Sequence, residues 1–577
     1  MRTLSRTAIV LVCLSLSLLC CHEDTEGVGE IRLSGSLDDL GGTSSSLARP
    51  DSLRGILQAT LDASQDDELS GVLVRIGDLD GGPARIIEVR DALRRLSATG
   101  RVVHCHLEDA TNYTYWLAAS GCERLSMSPG GSLFLIGFAT ESYYLLDLLD
   151  SLGVEGDFLR TGAYKGAAEF LTLDDMSPET RETLDDMLDD LTEDLVRGIS
   201  EGRELDPATV RDLIDRGPFD AETAREVGLV DAVEYRDEAL EALQETIPGD
   251  APLLERYRDR SDSSESPGAL ELVLQSSRRP ASGPRVAVMY LSGPIAGGLL
   301  GGGLFGDQIS LSQVHRAAEA IRRDPDIKAV VVRIESPGGS ASVSDEIWHE
   351  LMRIREERPV VASMGDVAAS GGYYIATAAT EIFAQPDTIT GSIGVIGGKV
   401  VFGDALERIG VRPVLLSRGR NAGLMSLTRP FSPSQHLALE RFMTSAYDRF
   451  IACVVQGRAM DEDAVRHLAT GRVWTGRRAV ELGLVDQLGG LHDAIALARE
   501  LGELDEDAPV EVFPKPLSLV EQVEHALNGP NLSISERALA ASPSGLDDAL
   551  LSRALPLALL LDGEPVLTYW PVLFDIN

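Results

Sequence analysis

A hydroxyl, an amine and a glycine turn are the features of this 577-residue chain whose types and spacing can do chemistry. The hydroxyl is Ser370, in Gly365-Asp366-Val367-Ala368-Ala369-Ser370-Gly371-Gly372-Tyr373-Tyr374. Before it, Pro359-Val360-Val361-Ala362-Ser363-Met364 reads as a buried strand, and after it the Ala-rich text from Tyr373 to Ala379 suits a helix. Ser370 therefore stands where a strand hands over to a helix. Its small neighbours let another backbone approach, and a helix N-terminus favours negative charge developing there. A serine beside glycine at a helix start also serves as a simple cap. The nucleophile reading therefore needs a base.

An amine can be that base if burial in apolar surroundings brings its pKa down toward neutrality. The chain has only four lysines, Lys165, Lys328, Lys399 and Lys515, and arginine stays protonated. Lys165 lies in small, uncharged text, Gly162-Ala163-Tyr164 before it and Gly166-Ala167-Ala168 after it, with Glu169 near enough in sequence to counteract its desolvation. The glycine turn follows the apolar strand Ala329 to Ile334 and reads Glu335-Ser336-Pro337-Gly338-Gly339-Ser340. Pro337 sets the turn, and the N–H groups of Gly338 or Gly339, with that of Ser370 as a further candidate, are expected to form an oxyanion hole. Ser128-Pro129-Gly130-Gly131 sits elsewhere in its own half and reads as structural. A Ser-His-Asp site finds less support: no Gly-x-Ser-x-Gly surrounds Ser370, and His315 and His349 lie in helical text without an evident orienting partner. Asp366 has the orientation of the loop as its candidate role.

The elements that must position these groups form two copies of one pattern. Strands alternate with helices from Gly71 and again from Arg285, which predicts an α/β fold of parallel βαβ units in each half. Gly202-Arg203 recurs as Gly457-Arg458, and Gly228-Leu229-Val230-Asp231 as Gly483-Leu484-Val485-Asp486, each pair 255 positions apart. Tyr115-Trp116-Leu117-Ala118 matches Tyr373-Tyr374-Ile375-Ala376 at an offset of 258. This is an internal duplication. Ser370 falls opposite Asn112, while the Lys165 segment falls opposite Ser417 to Gly423, which has no lysine. Serine kept in one copy and lysine in the other imply one site assembled from both.

Composition is that of a globular protein, 44% apolar and 25% charged, and the net charge of −39 argues against nucleic acid as a partner. Met1 to Cys21 has two arginines, then an apolar run too short for a bilayer span of about 20 residues, which is the layout of an export signal. Leu18-Leu19-Cys20-Cys21 loosely resembles a lipoprotein processing site, with Cys20 or Cys21 as the lipid acceptor. Residues 22–50 read as a tether, 51–247 as the first domain, 248–284 as a linker, 285–510 as the second domain and 511–577 as a divergent extension. In that extension, 554–561 and 566–570 are apolar and read as packing, with a subunit-contact strand or an interfacial patch as alternatives. Cys105 and Cys122 read as two buried thiols rather than a pair. His104 and His106 share a strand face as zinc ligands would, but lack a third ligand, so no metal is expected.

Ser336-Pro337-Gly338-Gly339-Ser340, the Ser370 motif and Thr390-Gly391-Ser392-Ile393-Gly394-Val395 together resemble the long, duplicated form of the signal peptide peptidase A family. The resemblance spans roughly residues 50–510. It implies two tandem Clp-protease/crotonase-like domains, a Ser–Lys dyad of Ser370 and Lys165, and no cofactor. It also implies a membrane-associated homotetramer in the cell envelope that cleaves extended peptides such as signal-peptide remnants. Glu335 departs from the family pattern, which usually has Asn there. Two other readings of the same fold are a cytosolic acyl-CoA enzyme, against which the export signal speaks, and a non-catalytic envelope scaffold, against which the retained Ser370 and Lys165 speak.

Overall fold

Strand text and helix text alternate as parallel βαβ units, twice over. The computed structural model describes residues 26–39, 52–249, 251–254, 257, 283–296, 308–514 and 567–569. In the first half five parallel strands run in the order Gly27–Ser36, Leu69–Asp80, Val102–Leu107, Arg124–Met127, Ala232–Val233. In the second half the order is Val510–Phe513, Arg285–Ser292, Ile327–Ser336, Val360–Ala369, Ile389–Gly391, Val473–Thr475, with Glu381–Ala384 also pairing to Val360–Ala369. The unbroken apolar run in Ile327–Ser336 follows from cover on both faces. Val330 and Val332 face one core, with helices Leu311–Arg323 and Ala341–Arg355, while Val331 faces the other, with helix Leu491–Leu501. Each such side chain contributes roughly 1.5–3 kcal/mol by leaving water.

The duplication is visible atom by atom. Tyr115 donates its hydroxyl to the Leu229 carbonyl at 2.7 Å, and Tyr373 donates to Leu484 at 2.9 Å. Arg203 pairs with Asp231 and Arg458 with Asp486 in the same way. Helices Pro178–Arg203 and Pro433–Arg458 have 26 residues each and are capped by Ser177 and Ser432.

The halves are knit together. Strand Glu155–Thr161 of the first lies antiparallel against Val395–Val401 of the second, with Thr161 opposite Val395. Helix Pro178–Arg203 carries Glu182, Asp186, Asp190 and Asp194, and four-residue spacing puts them on one helix face. That face meets Arg472, Arg477 and Arg478 of the second half.

Four expectations need correction. The stretch 22–50 is not all tether, because Gly27–Ser36 is a strand paired along its length with Leu69–Asp80. Its glycines and serines disguise it, yet Val28, Ile31 and Leu33 are buried. The first residues of the linker also belong to this half: Val28 donates its N–H to the Pro252 carbonyl and Leu254 donates to Val28. The extension begins inside the second sheet, since Val510–Phe513 is its edge strand. Cys105 and Cys122 form a disulfide, because helix Asn112–Gly121 returns its C-terminal end to the strand that carries Cys105, bringing the Cα atoms to 5.8 Å.

His106 is accounted for by Ser126 and Ser128, at 3.0 and 3.1 Å from its ring nitrogens. Among the described residues no group of three or more His, Cys, Asp or Glu side chains could hold a metal ion, and no helix is long and apolar enough to cross a membrane. Met1 to Cys21, including Cys20 and Cys21, lies outside the described residues.

Candidate active site

Ser370 is fully buried at the junction of strand Val360–Ala369 and helix Gly371–Ala376. Its backbone sits at φ 55°, ψ −112°, a conformation that costs a non-glycine residue about 1–3 kcal/mol. Two main-chain bonds hold it there: its N–H donates to the Gly391 carbonyl, and its own carbonyl accepts from Tyr374, each at 2.8 Å. The Ser370 N–H is thus engaged in strand-to-strand bonding. In the first half Asn112 occupies the equivalent turn. Its amide donates to the Gly137 carbonyl and accepts from the Ile136 and Gly137 N–H groups, so it is committed to the backbone.

Lys165 reaches Ser370 because Glu155–Thr161 is zipped to Val395–Val401, which delivers the loop after Thr161 to the second half. Tyr164 then donates its N–H to the Thr470 carbonyl. The approach is so close that a Cβ on Gly471 would sit 2.7 Å from the backbone nitrogen of Lys165. Lys165 Nζ lies 2.7 Å from Ser370 Oγ, 2.9 Å from the Ser392 carbonyl and 2.8 Å from Ser392 Oγ. The side chain is fully buried, and burial pushes its pKa well below the usual lysine range. Glu169 does not offset this. It is turned to Arg160, Ser177 and Thr180, at 2.7–2.8 Å. A neutral amine has two N–H bonds and one lone pair. Two donations to Ser392 would leave the lone pair facing the Ser370 hydroxyl.

Ser392 is a site residue that sequence reasoning misses. Its signal lies in the Gly391-Ser392-Ile393-Gly394 text: a serine at φ 53°, held by its N–H donation to the Arg472 carbonyl at 2.8 Å.

The glycine turn follows strand Ile327–Ser336, whose Ser336 pairs in register with Ala368, two residues before the nucleophile candidate. Gly338 has φ 102° and donates its N–H to Ser336 Oγ at 3.2 Å. Gly339 has φ 152°, and a Cβ there would lie 2.0 Å from the Ile295 carbonyl oxygen. Beside this turn runs backbone of Leu567–Tyr569, antiparallel to Gly338–Ser340 and pairing also with Ile396. The space between the glycine turn and Val395–Val401 therefore accepts an added strand. Of the apolar tail, expected to pack, 567–569 lies here as a strand within the same chain, and 554–561 falls outside the described residues.

His315 does have a carboxylate partner, Glu350 at 3.0 Å, on the helix pair Leu311–Arg323 and Ala341–Arg355. The hydroxyl of Ser370 is met by lysine instead.

A model of peptidase family S49 matches residues 100–247 and 353–505, one block in each half. The chain is 33% identical over 474 residues to "Protease 4" of Salmonella typhi, covering 80% of this chain and 74% of the relative. It is 29% identical over 493 residues to "Serine protease SPPA, chloroplastic" of Arabidopsis thaliana, covering 85% and 70%. It is 34% identical over 249 residues to "Putative signal peptide peptidase SppA" of Enterococcus faecium, covering 42% of this chain and 71% of that shorter relative. With a family match in both halves, the chain belongs to peptidase family S49, in its long duplicated form, and is a serine endopeptidase.

Proposed function

We propose that Ser370 is the nucleophile and Lys165 its general base, one from each half of the chain, and that Gly338 and Gly339 supply the oxyanion hole. The observation that carries this reading is the 2.7 Å approach of Lys165 Nζ to Ser370 Oγ in a fully buried setting. Lys165 takes the hydroxyl proton as Oγ bonds to the scissile carbonyl carbon, and the carbonyl oxygen becomes an anion beside the glycine turn. Collapse breaks the C–N bond, and the lysine proton goes to the leaving amine. Water, deprotonated by Lys165, then bonds to the acyl carbon, and the lysine returns that proton to Ser370 Oγ as the ester C–O bond breaks.

Extended peptides are the substrate class, including remnants of cleaved signal peptides. Support comes from the strand-accepting groove beside Gly338–Ser340, since strand addition recognises backbone and leaves side-chain choice to pockets. The signal-like text of Met1 to Cys21 supports a membrane-associated, exported enzyme in the cell envelope. Exposed Val414 and Leu416, 81% and 86% accessible, support a contact between subunits of a homotetramer.

The test is peptidase activity on an unfolded protein substrate, with Ser370→Ala, Lys165→Ala and an equimolar mixture of the two. Both single variants should be inactive yet assembled. The mixture should stay inactive, because the two residues meet within one chain. Near-wild-type activity in Lys165→Ala would remove the dyad.

A further inference from the structure

The strand that ends at Ser370 is not regular. Ile334 pairs with Met364, and the next pair along is Ser336 with Ala368. One residue, Glu335, therefore stands opposite three, Gly365, Asp366 and Val367. The bulge is also a corner: before it the strand pairs with Glu381–Ala384, and after it with Ile389–Gly391. Bulges bend a strand and re-aim the residues beyond the bend. Here the re-aimed residue is Ser370, four positions after Asp366.

Three charged side chains fill the bulge, and one of them comes from the other half. Glu335 Oε2 accepts the Asp366 N–H at 2.7 Å and lies 3.0 Å from Arg85 Nη2. Arg85 Nε is 3.1 Å from Asp366 Oδ2. The Asp366 carboxylate accepts the N–H groups of Gly82 and Arg85, at 3.2 and 3.1 Å. Those donors stand at the N-terminus of helix Pro83–Ala98, whose own N-cap residue, Gly82, has no side chain to offer them. The second half thus caps a first-half helix, and the first half returns a guanidinium to the bulge. The carboxylates press against bare backbone: a Cβ on Gly365 would sit 2.1 Å from Glu335 Oε2, and one on Gly82 2.4 Å from Asp366 Cγ.

We propose that Arg85, Asp366 and Glu335 form a positioning cluster through which the first half holds this bulge, and with it Ser370 and the Gly338–Gly339 turn, in register. Glu335 immediately precedes Ser336 and the glycine turn, while Asp366 lies on the strand that delivers Ser370. One carboxylate on each arm, bridged by Arg85, ties the nucleophile arm to the oxyanion arm. The inference rests on the assignment of Ser370 as nucleophile.

The cluster also has a charge imbalance. Around Glu335 stand Asp366 on the neighbouring strand, Arg85 and Glu88 on helix Pro83–Ala98, Asp38 and Asp39 after the first strand, and Arg333 on its own strand. Arg333 is fully buried and pairs with Asp39 at 3.2 Å and Glu88 at 2.6 Å. Carboxylates outnumber guanidiniums. Burial, with Asp366 and Asp39 nearby, pushes the Glu335 carboxyl up to about 7 against the pull of Arg85. Its raised pKa means that the folded state holds this proton more tightly than the unfolded chain does. Stability from this group is present below its ordinary value and is lost as pH rises through about 7.

The experiment compares wild type with Arg85→Met, Asp366→Asn and Glu335→Gln, beside Ser370→Ala. It reads kcat, KM, the rate of labelling by a fluorophosphonate, and Tm between pH 6 and 8. Glu335→Gln keeps an acceptor for the Asp366 N–H and serves if the other two fold poorly. Arg85→Met and Asp366→Asn should lower kcat and the labelling rate in parallel by ~10- to 100-fold, with KM nearly unchanged, as for a displaced reacting group. Glu335→Gln should flatten the fall in Tm across pH 7. Folded variants with wild-type kcat and labelling would overturn the cluster's role. An active Ser370→Ala would instead overturn the nucleophile assignment.

Discussion

Ser392 offers Lys165 two acceptors at once, its carbonyl at 2.9 Å and its hydroxyl at 2.8 Å. The pair fixes where the amine points, so that its third direction is Ser370. Replacing Ser392 by Ala removes one acceptor from a buried donor, a change that costs about 1–3 kcal/mol. The expected result is a kcat lower by roughly 10- to 100-fold with KM little changed. Because an acceptor that favours the ammonium is gone, the acidic limb of the pH–rate profile should move to lower pH. Steady-state kinetics across pH checks both.

The depressed pKa of Lys165 has a stability signature with a definite sign. At neutral pH the unfolded chain protonates this lysine, whereas burial disfavours the charged form in the folded state. The wild type therefore loses stability as pH falls from the ordinary lysine value toward the folded one. Lys165→Met should be more stable than wild type near neutrality, and the gap should close as pH approaches about 10.4. Urea unfolding at several pH values measures it. Lys165→Arg should be inactive at every pH, since a guanidinium keeps its proton.

Gly339 tolerates no side chain. Its φ of 152° opposes one, and so does the Ile295 carbonyl oxygen, 2.0 Å from where a Cβ would stand. Gly339→Ala should displace the turn and lower kcat by about 100-fold or more, the order expected for a lost oxyanion donor. Fluorophosphonate labelling beside circular dichroism separates a displaced turn from an unfolded protein.

The acidic face of helix Pro178–Arg203 should be uneven in its energetics. Asp194 is buried, with a side chain 3% exposed, and pairs with Arg477 at 2.7 Å. Asp186 is 55% exposed in its pair with Arg472. Asp194→Ala should cost about 1.5–3 kcal/mol in urea unfolding and Asp186→Ala under about 1 kcal/mol. Equal effects would mean that the two contacts are not partitioned by burial.

Ser370, Lys165 and their meeting are legible in the sequence because each rests on local text read against a second copy. A strand-to-helix junction announces itself through composition, and Asn112 opposite Ser370 marks which copy kept the hydroxyl. Gly27–Ser36 is illegible for a physical reason. An edge strand with glycine or serine at half of its positions dilutes the branched side chains that mark a strand, and its partner lies more than thirty residues downstream. Arg85, Asp366 and Glu335 are illegible as a group because their meaning lies in a bulge and in a helix end from the other half, neither of which has a sequence period. The Cys105–Cys122 bond depends on where a helix returns, which spacing alone leaves open.

The pairing of Glu155–Thr161 with Val395–Val401 joins two segments separated by more than two hundred residues of chain. A ribosome releases the first segment long before it makes the second, at about 5–20 residues per second. Until then the lysine has no strand to dock on and no serine to meet. The chain thus carries its own delay: the site proposed for it cannot assemble until the second half has been made.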